Sequence, residues 1–215
     1  MTQRRNLARI RTEYRLSQLQ EGMVNPNPFK QLEQWINEAI GAGCEEPTAM
    51  TLATCSGQGK PSARIVLLKG VSEGGCVFFT NYLSRKGIEL LENPWAALVL
   101  FWPQIERQVR VEGKVHQLNE AASDEYFLSR PQGSKVGAWA SPQSQIVPSR
   151  EHLELLWMEY QERYSDGNVP RPSHWGGYIL VPSCFEFWQG RPSRLHDRLQ
   201  YLPEGEGWTV SRLAP

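Results

Sequence analysis

The chain has 215 residues, and 23 lysines and arginines balance 23 aspartates and glutamates. Zero net charge excludes the general nucleic-acid or membrane-surface binder, which carries a basic excess, and makes any local cationic cluster more telling. The length allows one domain with an attached helical segment and leaves two full domains tight, so residues 1–27 are expected as a mobile N-terminal helix and linker and 28–215 as a single domain.

The polar start, Met1 to Asn6, leads into no long apolar run, so neither a signal peptide nor a membrane span is expected. Residues 6–20 have helical character, and Gly22 to Pro28 reads as a linker. Asn27-Pro28 starts a helix carrying Phe29, Leu32, Trp35, Ile36, Ala39 and Ile40 on one face and ending at Gly41 and Gly43. Runs 49–55, 62–71 and 76–82 read as strands parted by glycine turns. Ser84 caps a short helix ending at Asn93-Pro94. Residues 95–102, nearly all apolar, predict a strand covered on both faces, whereas 106–118 alternates and predicts one wet face. Asn119 caps a helix reaching Arg130 and stopped by Pro131. Another follows Ser149, with Leu153, Leu156, Trp157 and Tyr160 as its buried stripe. Strands over 178–188, 194–202 and 208–213 finish the sheet, the last two joined through Glu204-Gly205-Glu206-Gly207. Strands joined by tight turns with helices between them predict a mainly β fold with peripheral helices, a mostly antiparallel barrel. No Gly-x-Gly-x-x-Gly fingerprint is present, so a nucleotide would be held some other way.

Four cysteines without a Cys-x-x-Cys pair and four histidines without ligand spacing argue against a metal and for reduced, core-forming thiols in the cytoplasm. Candidate chemistry is concentrated in cationic clusters. Ser84-Arg85-Lys86 places two cations in the first turn of a helix, against its dipole, which a bound anion would reverse; a solvated helix start is the alternative. Arg64 and Lys69 bracket one apolar strand and on strict alternation face opposite ways, so they serve different anions or a bulge intervenes. Tyr126 and Arg130 share a helix face with Ser134 just beyond, three donors suited to a phosphate monoester, unless Tyr126 and Arg130 are only a surface stack. Gln108, Gln143 and Ser144 are weak signals alone. Trp188 could stack near a flavin or pyridine ring, although a strand tryptophan is more often core. Arg194, His196 and Arg198, at every second position of an extended run, would line one face within about 13 Å, a row that makes sense against phosphate and an electron-rich ring.

Together these pieces resemble the pyridoxine/pyridoxamine 5′-phosphate oxidase family over nearly the whole chain. The resemblance rests on Arg64-Ile65-Val66-Leu67-Leu68-Lys69, Phe79-Thr80-Asn81, Ser84-Arg85-Lys86, Glu106-Arg107-Gln108-Val109, Tyr126 to Pro131, Gly137-Ala138-Trp139, Trp175-Gly176-Gly177, Phe187-Trp188-Gln189-Gly190 and the ending from Arg194 to Pro215. It implies an FMN-binding split β-barrel working as a two-fold homodimer with flavins at the subunit interface. The family pattern assigns Arg64, Ile65, Val66, Leu67, Leu68, Lys69, Phe79, Thr80, Arg85, Lys86, Gln143, Ser144, Gln108, Trp188 and Arg198 to FMN. Lys69, Tyr126, Arg130 and Ser134 would hold the substrate phosphate, Arg194 and His196 would lie over the pyridine ring as catalytic residues, and Arg11 and Tyr14 would close over the substrate. The implied partners are phosphorylated B6 vitamers and dioxygen, with no nucleic acid and no membrane. Two rival readings are a nicotinamide-driven flavin reductase, disfavoured by the second phosphate cluster, and a non-catalytic flavin or pyridoxal phosphate carrier, disfavoured by the Arg194/His196 pair.

Overall fold

Asn27 begins the first helix as its side chain dictates: its Oδ1 accepts the backbone N–H groups of Phe29 and Lys30 at 2.9 and 3.3 Å, with Pro28 next in line. This helix, α1 (Pro28–Gly41), buries Phe29, Leu32, Trp35 and Ala39, whereas Ile40, expected on the same face, is exposed. The computed structural model describes residues 13–215. Nine strands follow: β1 (Ala49–Cys55), β2 (Pro61–Leu67), β3 (Gly70–Ser72), β4 (Gly75–Asn81), β5 (Trp95–Trp102), β6 (Arg107–Gln117), β7 (Trp175–Gln189), β8 (Asp197–Glu204) and β9 (Gly207–Arg212). Four more helices are inserted: α2 (Arg85–Glu92), α3 (Glu120–Ser129), α4 (Gln132–Ala140) and α5 (Arg150–Arg163).

The strand order is β2-β1-β5-β6-β7-β4-β3, with β8 on β7 and β9 on β8. The registers of β1 with β2 and β5, β4 with β3 and β7, and β8 with β7 and β9 are all antiparallel. A mainly β, antiparallel architecture with peripheral helices is therefore the one observed. The chain forms two units interleaved in sequence. One comprises Thr48–Val99 and Val111–Ser183, and the other Leu100–Arg110, Cys184–Pro215 and the described residues up to Pro47. The first has Met50, Leu52, Phe78, Leu98 and Leu180 fully buried, with a satellite cluster of Phe127, Val136, Val169 and Trp175. The second packs Phe29 edge-on against Phe185 at 5.1 Å and Trp35 against Phe187 at 5.1 Å, above a fully buried Tyr201.

Five expectations change. Residues 13–20 hold neither helix nor strand, with a bend at Leu16, and the remainder of the expected N-terminal helix lies outside the described residues. The strand expected over 62–71 breaks after Leu67: the Leu68 N–H reaches the Thr48 carbonyl and the Lys69 N–H that of Val77, so the chain changes partners there. The strand expected from Arg194 starts at Asp197, because Pro192–Arg194 is a 3-10 turn with Ser193 and Arg194 at φ 55° and 64°. Those left-handed residues break the alternation, and the row of Arg194, His196 and Arg198 does not form. Helix α5 buries none of its residues, so its apolar stripe is not core. On β5, Trp95 and Phe101 are each 49% exposed, so that strand alternates instead of being covered on both faces. Helix α4 was not expected at all; Pro131 ends α3 but also begins the next helix, as proline at a helix start permits.

Candidate active site

The first unit holds a cleft of about 890 Å³. One wall is β2, which ends the strand order and so offers a row of outward backbone donors and acceptors from Arg64 to Leu67. The end of β4 supplies Phe79 and Thr80, and the start of α2 supplies Arg85 and Lys86. The turn into α2 is tight: a Cβ on Gly87 would stand 2.1 Å from the Tyr82 carbonyl oxygen, so only glycine lets the Tyr82 backbone lie against the first turn that Ser84 caps.

Five cations line the cleft (Arg64, Lys69, Arg85, Lys86 and Arg130), and no carboxylate of the described residues does. They fall into two groups. In the first, Lys86 is 7% exposed and its Nζ donates only to neutral oxygens: Thr80 Oγ1 at 2.9 Å, Ser84 Oγ at 3.1 Å and Gln143 Oε1 at 2.9 Å. Burial, with Arg64 nearby, pushes its pKa down to about 8. Glu89 lies behind this group, 5% exposed, and takes Arg85 Nε at 2.8 Å and Arg64 Nη2 at 3.4 Å. Burial pushes Glu89 up, but donation from Ser62, Thr54 and Arg85 outweighs it and holds the carboxyl at about 2. The Glu89 charge therefore holds both arginines at the edge of the cleft, and Arg64 is fixed further by donation from Nη1 to the Leu52 carbonyl at 3.2 Å and to Thr54 Oγ1 at 2.5 Å.

The second group is Lys69, Tyr126, Arg130 and Ser134. Tyr126, Phe79 and Trp175 form a ladder of near-parallel rings, with Phe79 to Tyr126 at 3.8 Å and Phe79 to Trp175 at 5.7 Å. Arg130 caps α3 and lies over the Trp175 ring, 4.4 Å from its centre. Its Nη1 is buried with no hydrogen-bond partner, and burial lowers the guanidinium pKa. A desolvated donor with nothing to donate to is costly unless an anion completes it. The break at Leu68 is what puts Lys69 on the same cleft as Arg64, although strict alternation would have parted them. Leu68, the remaining member of the Arg64 to Lys69 run, is buried in the core and does not line the cleft. Arg64, Ile65, Val66, Leu67, Lys69, Phe79, Thr80, Arg85, Lys86, Tyr126, Arg130, Ser134, Gln143 and Ser144 all do.

The remaining predicted residues belong to the second unit, except Arg11, which lies outside the described residues. Here Tyr14, Trp188 and His196 form one aromatic cluster: Trp188 to His196 at 4.7 Å, Tyr14 to Trp188 at 5.5 Å and Tyr14 to His196 at 5.8 Å. His196 Nδ1 accepts the Arg191 backbone N–H at 3.1 Å, so the neutral ring carries its proton on Nε2. Burial, then the charge of Arg194, lowers the His196 pKa and favours that neutral ring. Arg198, opposite Trp188 on β8, is held by both oxygens of the buried Glu186 at 2.9 and 3.0 Å. Gln108 lies half-buried on β6.

Residues 36–164 match the family model described as pyridoxamine 5′-phosphate oxidase, and residues 175–215 match that of the pyridoxine 5′-phosphate oxidase C-terminal dimerisation region. The chain belongs to the pyridoxine/pyridoxamine 5′-phosphate oxidase family. It is 55% identical to the pyridoxine/pyridoxamine 5′-phosphate oxidase of Cyanothece sp. (strain PCC 7425 / ATCC 29141), over 98% of this chain and 99% of that one. It is 56% identical to the enzyme of that name from Burkholderia thailandensis, over 97% and 99% of the two chains. Among solved structures, PhzG from Burkholderia lata 383, in complex with tetrahydrophenazine-1-carboxylic acid, superposes with a TM-score of 0.86 at 32% identity, covering 90% of this chain and 95% of that one. A pyridoxamine 5′-phosphate oxidase-related, FMN binding protein from Nostoc punctiforme PCC 73102 shares the fold, with a TM-score of 0.67 at 16% identity, over 85% and 96% of the two chains. The family is one of oxidoreductases, and its fold is the one the resemblance implied.

Several residues that shape the site had not been singled out. Glu89 stands four residues after Arg85, a helical ion-pair spacing, and Glu186 is an acid between two core phenylalanines, so both left a readable trace. Ser62 and Thr54 left none, and Trp175 was marked only as part of the Trp175-Gly176-Gly177 motif.

Proposed function

We propose that the chain oxidises pyridoxine 5′-phosphate or pyridoxamine 5′-phosphate to pyridoxal 5′-phosphate, using FMN and dioxygen and releasing hydrogen peroxide. The observation that carries this reading is the cleft with two cationic groups, no lining carboxylate among the described residues, and a buried Arg130 donor without a partner. Two anion pockets in one cleft suit a flavin phosphate and a substrate phosphate. FMN bound there would supply the redox chemistry: it would accept a hydride from substrate C4′ as the hydroxyl or amine proton leaves, and two electrons and two protons would go on to dioxygen as hydrogen peroxide, the imine from the amine being hydrolysed by water with release of ammonia.

The protein's own contribution is placement. Arg64, Arg85 and Lys86, with Gln143 and Ser144, fit the flavin phosphate, and the outward edge of β2 fits a flat polar ring system. Lys69, Tyr126, Arg130 and Ser134 anchor the substrate by a phosphate that does not react, which fixes the orientation of the carbon that does. Arg194 and His196 are assigned to the pyridine side. Because Nδ1 of His196 is already an acceptor, the neutral ring presents Nε2–H and donates to the C4′ oxygen or nitrogen, orienting it. Gln108, Trp188 and Arg198 complete the flavin contacts by the family pattern. The match of residues 175–215 to a dimerisation region supports a homodimer.

The test is an absorbance spectrum of the purified protein, followed by each phosphorylated vitamer under air. A flavin spectrum with aldehyde and peroxide formation is expected. Protein that takes up no FMN, or that turns over only with a nicotinamide reductant, would overturn the assignment.

A further inference from the structure

The segment preceding α1 is fastened at Arg15 and Leu16 by a single carboxylate. Glu106 Oε2 accepts two successive backbone N–H groups, those of Arg15 at 2.8 Å and Leu16 at 2.9 Å. Glu106 is 8% exposed, has left-handed backbone at φ 55°, and forms no ion pair with any described residue. Its own carbonyl accepts the Gly190 N–H at 2.8 Å and Gln189 Nε2 at 3.1 Å. One residue thus holds the segment through its side chain and the Gln189-Gly190 turn through its backbone. A second observation points the same way. A Cβ on Gly190 would meet Tyr14 Cγ at 2.6 Å and Glu106 Cβ at 3.1 Å, so Tyr14 lies directly on the glycine. Further along, the segment has other fastenings: Arg191 donates to the Ser17 carbonyl at 3.1 Å, and Asp197 accepts the Leu19 N–H at 3.0 Å.

We propose that Glu106 is a positioning residue: it latches this segment at Arg15 and Leu16 and so seats Tyr14 against Trp188 and His196. Bonds from backbone N–H to an ionised carboxylate are about twice as strong as neutral ones, and here two converge on one oxygen. Because Ser17 and Leu19 are held independently, loss of the Glu106 carboxylate frees the stretch around Tyr14 to Leu16 and not the residues after it. The consequence for catalysis rests on the proposed function, in which Tyr14 closes over the substrate; the latch itself does not.

The test combines hydrogen exchange on the FMN-loaded protein with steady-state kinetics on pyridoxamine 5′-phosphate. Glu106→Ala is expected to speed exchange of the Arg15 and Leu16 amides at least tenfold, leave that of Leu19 unchanged, and raise KM at least fivefold with kcat within about twofold. Glu106→Gln keeps an acceptor oxygen without the charge and should recover part of both effects, and it carries the test if the alanine variant does not fold. Gly190→Ala, with Glu106 intact, should unseat Tyr14 and reproduce the KM rise. Unchanged exchange at Arg15 and Leu16 overturns the latch. Faster exchange with unaltered KM, or an equal loss of flavin and substrate affinity, overturns the positioning role. If the unaltered protein does not turn over the vitamer, the proposed function fails, and exchange alone still decides the latch.

Discussion

Replacing Arg130 separates a substrate ligand from a structural arginine, because the two roles give opposite signs. In the free protein the Arg130 guanidinium is half-buried over Trp175, with Nη1 lacking any acceptor. Arg130→Ala removes a ring contact of about 0.5–1 kcal/mol, but also removes a buried unsatisfied donor that costs about 1–3 kcal/mol. The net change is about 0–2.5 kcal/mol in favour of the folded state, so melting should hold level or rise, by at most roughly 10 °C. Binding is different. A charge-assisted bond to phosphate contributes about 1.5–3 kcal/mol, and Lys69, Tyr126 and Ser134 remain to hold the group. A net loss of about 2–3 kcal/mol predicts a KM for the phosphorylated vitamer raised roughly 30- to 150-fold. Arg130→Lys keeps the charge but neither the fork nor the planar stack, and should fall between. The assay is steady-state oxidation under air alongside the flavin absorbance of each purified variant. An unchanged KM, or flavin lost in step with substrate affinity, would refute the division of the cleft into two pockets.

Lys86 predicts a pH effect. Its pKa is about 8 in the folded protein against 10.5 ordinarily, so between those values the unfolded chain holds a proton that the folded one has released. Stability of the flavin-free protein from this group therefore rises as pH climbs from about 8 to about 10.5, and Lys86→Met should abolish that rise. Urea midpoints of both proteins at about pH 7.5 and about pH 10 check it. Glu89, at about 2 instead of 4.5, gives the same sign of slope in the acid range: it stabilises above its ordinary value and loses that contribution as pH falls toward 2. Glu89→Gln should cost about 2–3 kcal/mol at neutral pH and flatten the acid limb of a denaturation series. Arg194→Ala should lower turnover while FMN stays bound, read by kinetics and flavin absorbance; unchanged turnover would remove it from the reaction.

Much of this molecule could be read locally. The Asn27, Ser84 and Asn119 caps, the Glu204 to Gly207 hairpin and the one wet face of β6 follow from short-range chemistry, and each is present. What failed locally failed for identifiable reasons. Residues 13–20 looked helical because their spacing allows it, but backbone N–H groups of Arg15, Leu16 and Leu19 are taken by Glu106 and Asp197, far away in sequence. The apolar stripe of α5 predicted burial that its surroundings do not provide.

Spacing and residue type alone marked the cationic groups, since a neutral chain has little reason to cluster Arg85 with Lys86 or Tyr126 with Arg130 unless an anion is met. Whether those groups share a space was not written in any local pattern. That was decided by the break at Leu68, which turns Lys69 toward Arg64, and by the burial that strips Arg130 Nη1 of water. Both depend on which strands and rings arrive from elsewhere in the chain, because hydrogen-bond partners and desolvation are properties of neighbours in space and periodicity reports only neighbours in sequence.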